Sequence, residues 1–187
     1  MPVQLMDLWS AILLSGVLVF LASSILHMVL PVHTGDFKKL KGEEAVLDVM
    51  RSEGVTPGEY MFPGCDSMKD MGNPEFIAKM NKGPVGFMIV VPNGPPSMGK
   101  SLAQWFAYTL VIGTLVAYVA SIYLPAAPEY MDVFRLTSTI AAIGYCLSNV
   151  TNSIWKGSSW WVTTKFVFDG LIYAALTAGA FSWLWPS

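Results

Sequence analysis

Eight residues, Gly94-Pro95-Pro96-Ser97-Met98-Gly99-Lys100-Ser101, match the phosphate-binding pattern G-x-x-x-x-G-K-[ST] letter for letter. They follow a strand-like apolar run and open a helix, which is the setting that pattern requires. A phosphate loop works by pointing backbone N–H groups at its ligand, and Pro95 and Pro96 have none to give. The loop also belongs to a sheet covered by helices on both faces, with a separate acid to hold Mg²⁺. Only one convincing strand, roughly 85–91, precedes it, and Asp48 sits in a helical pattern rather than at a strand end. A simpler reading accounts for the same letters. Asn93 to Pro96 is a turn that stops the strand. Ser101 is a helix N-cap with Gln104 three residues on, and Lys100 anchors the helix end at a membrane surface. Nucleotide binding is not expected.

A second candidate is the sulfur-rich run Met61-Phe-Pro-Gly-Cys65-Asp-Ser-Met68-Lys-Asp-Met71. Met61, Cys65, Met68 and Met71 offer thioethers and a thiol, donors that suit a soft ion such as Cu(I). Methionine also fills irregular gaps in small cores, and Met50, Met80, Met88 and Met98 show that it is common throughout this segment. With one cysteine, no C-x-x-C and no nearby histidine, packing is the favoured role and no metal or cofactor is expected. Catalytic patterns are missing as well. Neither G-x-S-x-G nor H-E-x-x-H occurs, and two histidines, His27 and His33, exclude a three-histidine zinc site. The chain does not read as an enzyme.

The third candidate is a set of polar residues inside otherwise apolar runs: His27, Gln104, Asn149, Asn152 and Asp169. Ionisable groups in such runs normally face the interior of a bundle and have a partner. Two roles fit. One is a hydrogen-bonded clasp, in which Asp169 accepts from His27, Asn149 or Asn152 and fixes helix register. The other is a proton or ligand site built on His27 and Asp169.

These residues must be positioned by the elements around them. The sequence has 187 residues, 53% hydrophobic and 13% charged, with a mean hydropathy of +0.50. Soluble domains carry about 25% charged residues, so this composition points to a membrane. Four runs, 8–30, 102–124, 136–155 and 166–185, hold almost no charge. Each is about long enough to cross a ~30 Å hydrocarbon core as a helix. The first is expected to be a retained span rather than a cleaved signal, because residues 1–8 carry Asp7 and no basic residue. Ten Lys and Arg residues lie on one side of this layout, and Arg135 alone lies on the other. The positive-inside rule then places both termini outside and residues 32–100 in the cytoplasm. Trp9, Tyr123, Trp183 and Trp185 fall at outer ends, and Trp105, Trp155, Trp160 and Trp161 at inner ends. Cys65 and Cys146 lie too far apart in this layout for a disulfide. A net charge of −2 gives no nucleic-acid signal.

The layout also sets depth. His27 lies four residues before Pro31 at the inner end of the first span, and Asp169 lies four residues after Lys165. At 1.5 Å per residue both sit about 6 Å below the same surface. Gln104, Asn149 and Asn152 belong near that level. Residues 32–100 read as a small α/β insertion. Gly42 to Gly54 forms an amphipathic helix, a second helix starts at Asn73-Pro74, and strand 85–91 pairs with 59–62. Small-residue stripes mark the spans: Gly113/Ala117, Gly144/Ser148 and Gly170/Ala174/Ala178.

Three stretches, SSILHMVLPVHTGDFKKL, GPVGF with PPSMGKSL, and DGLIYAALTAGAFSWLWP, resemble a group of small bacterial inner-membrane proteins with four spans. The resemblance covers most of the chain. It implies a bacterial inner-membrane location and the four-span layout, and it brings no catalytic residue. The expected architecture is an all-α four-helix membrane bundle divided into residues 1–31, a cytoplasmic segment 32–100 and residues 101–187. The expected function is non-catalytic: an accessory or assembly subunit contacting lipid and other membrane subunits. The alternative is a small transporter or sensor using His27 and Asp169.

Overall fold

The computed structural model describes residues 3–186. The chain forms two compact units. The first comprises the residues up to Asp36 and those from Ser97 onward, and the second is Phe37–Pro96.

The first unit is a helical bundle. Helix α1 (Trp9–Ser24) is preceded by a 3₁₀ turn, Leu5–Leu8, where the Asp7 carboxylate accepts from the Gln4 N–H at 2.8 Å. It continues into a wide π-helical turn, Ile25–Val29. Leu30 is then extended, as a residue before proline must be, and Pro31–His33 makes a 3₁₀ turn back towards the bundle. Helix α4 (Met98–Tyr123) and helix α7 (Trp160–Trp183) are the other long apolar rods. With Leu5–Val29 they make, among the described residues, three helices long and apolar enough to cross a membrane.

The third expected span, 136–155, differs. Tyr130–Lys156 is helical, but it is divided into α5 (Tyr130–Ala142), a π-helical turn (Ile143–Leu147) and α6 (Ser148–Lys156). Its apolar run is diluted by Thr137, Ser138, Thr139, Ser148, Asn149, Thr151 and Asn152, so it lacks the sustained apolarity of the other three. The expected capping box at Ser101 is also not formed. Helix α4 starts as soon as the two prolines are passed, and the Ser101 N–H already bonds the Ser97 carbonyl inside the first turn, at 3.1 Å.

Helix α7 packs along α5 and α1, and α1 packs along α4. The small residues set these distances. A side chain added at Gly113 would meet Ser15 and Ile12 of α1, and one at Gly16 would meet Leu110 and Thr109. At Gly170 it would meet Cys146 Sγ at 2.7 Å and the Tyr145 backbone at 3.0 Å. Ala117, Ala174 and Ala178 are buried in the same seams. Outward faces are apolar too: Leu13, Val17, Leu21 and Ile25 on the first rod, and Val111, Leu115 and Ile122 on α4, are exposed.

The second unit contains α2 (Glu43–Ser52), β1 (Gly58–Phe62), α3 (Pro74–Lys82) and β2 (Gly86–Val90). The strands pair antiparallel with Gly58 opposite Val90 and Phe62 opposite Gly86, which is the hairpin expected from the sequence. Asn73 caps α3 by accepting from the Glu75 N–H. Arg51 on α2 pairs with Asp48 and Glu44. Phe76 is the one residue of this unit, among those described, that is a buried apolar side chain.

Candidate functional site

The site begins with the reversal at Pro31. Leu30 leaves the helix, the turn at Pro31–His33 doubles back, and the His33 ring stacks on His27 with centroids 4.1 Å apart and planes 15° apart. Phe166 of α7 covers both rings, at 5.8 Å from His27 and 5.0 Å from His33. Gly35 adopts a positive φ of 85°, which L side chains resist. This turn brings Asp36 under the ring it follows, with the Asp36 N–H bonded to the His33 carbonyl.

His33 thereby lies between two carboxylates. Its Nδ1 is 2.7 Å from Asp36 Oδ2, and its Nε2 is 2.7 Å from Asp169 Oδ2. A neutral imidazole has one N–H. Two contacts this short therefore require a second proton held between His33 and a carboxylate, or a cation in its place. His27 Nε2 approaches the same Asp169 oxygen at 3.4 Å. Asp36 is held from its other side by Lys165, whose Nζ donates to Oδ1 at 2.6 Å. The Lys165 hydrogen bond, and then the one from His33, hold the Asp36 carboxyl below its ordinary value of 3.8.

Burial grades across the group. The side chains of Asp169, Asp36, His33 and Lys165 are 1%, 4%, 12% and 15% exposed, whereas His27 is 35% exposed. Asp169 Oδ1 is buried and has no hydrogen-bond partner among the described residues, and the same holds for the Tyr173 hydroxyl one turn further along α7. Both residues line a cavity of about 850 Å³ that His27 also borders. Trp105, Tyr108 and Tyr145 form much of its wall. Trp105 stacks on Tyr108 and meets Tyr173 edge-on, and Tyr145 meets Tyr173 edge-on. The wall is tied down by polar bonds. Trp105 Nε1 donates to Ser23 Oγ at 2.8 Å, and the Tyr108 hydroxyl donates to the Gly144 carbonyl in the second π turn. Both π turns, a feature often found beside functional sites, contribute to the cavity: His27 and Met28 from the first and Tyr145 from the second.

The residues singled out from the sequence divide accordingly. His27 and Asp169 are together. Gln104 and Asn149 line the cavity without bonding Asp169, and the Asn149 amide is spent on the Tyr145 carbonyl at 3.1 Å. Asn152 is exposed and lies outside the lining. Of the partners expected for Asp169, His27 stands at 3.4 Å and neither asparagine bonds it; the nearer partner, at 2.7 Å, is His33, which its sequence setting does not mark out. Trp105, expected in an interface belt, points into the cavity. In the second unit Met61, Met68 and Met71 are exposed, and Cys65 is a half-buried free thiol. The phosphate-loop letters run from Gly94 into the first turn of α4, which holds Met98 to Ser101, and the only sheet among the described residues is the two-stranded antiparallel hairpin.

No protein-family model, curated protein or solved structure matches the chain.

Proposed function

We propose that the protein is a four-span inner-membrane protein that binds a small ligand at the cytoplasmic end of its bundle, and so acts as a sensor or carrier. The observation that carries this reading is the pair of unpartnered buried oxygens, Asp169 Oδ1 and the Tyr173 hydroxyl, on two residues that line one aromatic-walled cavity. Native proteins rarely leave such groups unpaired, and each one calls for an explanation. A concave, mostly apolar pocket with a few convergent polar groups is the usual form of a ligand site. The spans are the three apolar rods and the Tyr130–Lys156 segment, oriented by the Lys and Arg asymmetry.

A proton or ion conduit through the bundle is disfavoured. The buried polar residues further along it, Ser15, Thr137 and Thr177, are bonded to their own helix carbonyls, and among the described residues no charged side chain is buried in the bundle beyond this site. The accessory-subunit reading rested on the lack of a transport path and an active site, on the small-residue stripes and on a cytoplasmic segment too small to stand alone. The stripes pack this chain's own helices, which leaves the small cytoplasmic segment, with Phe76 its one buried apolar side chain among the described residues, as the support for that second reading. The non-enzymatic character expected from the sequence is kept in this proposal.

Native mass spectrometry of the protein released gently from its own membrane tests the reading. A small species carried by the parent chain and lost from Asp169→Asn is the expected result. An empty parent chain inside a stoichiometric hetero-assembly would favour the accessory role instead.

A further inference from the structure

Within this ligand-site reading, we propose that His27, His33 and Asp169 bind one divalent transition-metal ion of the zinc type, with an open coordination position facing the cavity. The three side chains each present one ligand atom, all within 4.8 Å of one another. Tetrahedral ligands at about 2.0–2.1 Å from zinc stand about 3.4 Å apart. His27 Nε2 and Asp169 Oδ2 are already at 3.4 Å. His33 Nε2 and Asp169 Oδ2 lie 2.7 Å apart, the span of one hydrogen bond, and an ion entering in place of its proton separates them by about 0.7 Å. The balance is simple: one M²⁺ enters and one proton leaves to solvent, as metal binding to a protonated donor requires.

The surroundings suit this exchange. Asp169 keeps a second buried oxygen with no partner among the described residues, so the carboxylate has a lone pair to give. With Nε2 given to the ion, the remaining ring N–H sits on His33 Nδ1, 2.7 Å from Asp36, which Lys165 holds from its other side. That is the carboxylate–histidine arrangement that orients a metal-ligating ring and makes it a better donor. Two imidazoles and one carboxylate favour zinc and its first-row neighbours over Ca²⁺ or Mg²⁺, which take mostly oxygen ligands. The stacked rings do not both aim at one point. His27 must swing, and it is the one of the three with a third of its side chain free. Three protein ligands leave the fourth position for water or a bound ligand, the pattern of reactive and binding zinc sites rather than closed structural ones.

The test uses the full chain in lipid nanodiscs, stripped with a chelator and titrated with Co²⁺ against competing Zn²⁺. The expected result is one Co²⁺ per chain, with visible bands of a four- or five-coordinate nitrogen and oxygen site, displaced by Zn²⁺. Asp36→Asn should weaken binding by about 10–100-fold through loss of ring orientation. His33→Ala and His27→Gln should weaken it further. Sub-stoichiometric Co²⁺ on the parent chain overturns the proposal. So does a thiolate-to-cobalt charge-transfer band, which would move the ion to Cys65 or Cys146. Because the parent spectrum alone reads donor type, a variant that fails to fold does not weaken the test. An organic species seen on the parent chain by native mass spectrometry, without any metal response, removes the metal and leaves the ligand site standing. If neither appears, both readings fall.

Discussion

Replacing Lys165 by methionine removes the cation nearest Asp36 while keeping most of the side chain's length. Because Lys165 is the largest cause of the lowered Asp36 value, the direction of the effect follows. A carboxyl held below 3.8 in the folded state contributes stability that is complete above 3.8 and is lost as the pH falls through its folded value. Lys165→Met should bring that loss to higher pH, seen as an earlier fall of the melting temperature on the acid side. Lys165→Arg should keep most of the parent behaviour. His27 and Asp169 were legible in the sequence because each interrupts an apolar run. His33 was not, since it lies two residues past a proline, in a polar stretch where a histidine reads as surface. The available signal was His33-x-x-Asp36 with a glycine between them, at the same depth as Lys165.

The seams between helices are where glycine and overpacking effects separate. At Gly170 an added side chain would meet the Tyr145 backbone, which cannot turn aside. Gly170→Val should therefore destabilise the bundle by about 1–3 kcal/mol. Gly179, on the same helix, faces nothing within 4 Å, so Gly179→Ala should be neutral or stabilising by up to about 1 kcal/mol. Denaturant unfolding of both variants in one micelle system reads the contrast, and equal losses would contradict this account of the seam. Tyr108→Phe strips the Gly144 carbonyl of its donor and should cost about 0.5–1.5 kcal/mol. The two-stranded hairpin was readable because its alternation and its flanking turns agree. The division of Tyr130–Lys156 was not, because a π turn adds one residue without changing composition. The start of α4 differs from the expectation for a local reason: Ser101 fits a capping pattern, but the helix begins at once after Ser97, beside the prolines.

For the molecule as a whole, orientation is the property that the charge asymmetry addresses most directly. Cys65 is half-buried and Cys146 is buried, so a membrane-impermeant maleimide should label Cys65 alone, and only when the cytoplasmic face is open to it. Labelling of Cys65 in intact cells would invert the topology. Composition made the apolar rods legible, since three of the four runs are long and apolar enough to cross a membrane. It could not say how the small residues would be used. Glycine and alanine stripes serve a chain's own packing and an outside partner with the same letters, and the contacts at Gly16, Gly113, Gly144 and Gly170 separate the two.

Trp105 gives the cavity an optical voice. Its indole is bonded to Ser23, stacked on Tyr108 and set edge-on to Tyr173, so anything entering that space alters its polarity and its quenching. The chain has seven tryptophans. Of these, Trp9, Trp155, Trp160, Trp161 and Trp183 are exposed on the outer surface. A version in which Trp105 is the sole indole would therefore report occupancy by its own emission, without any attached dye.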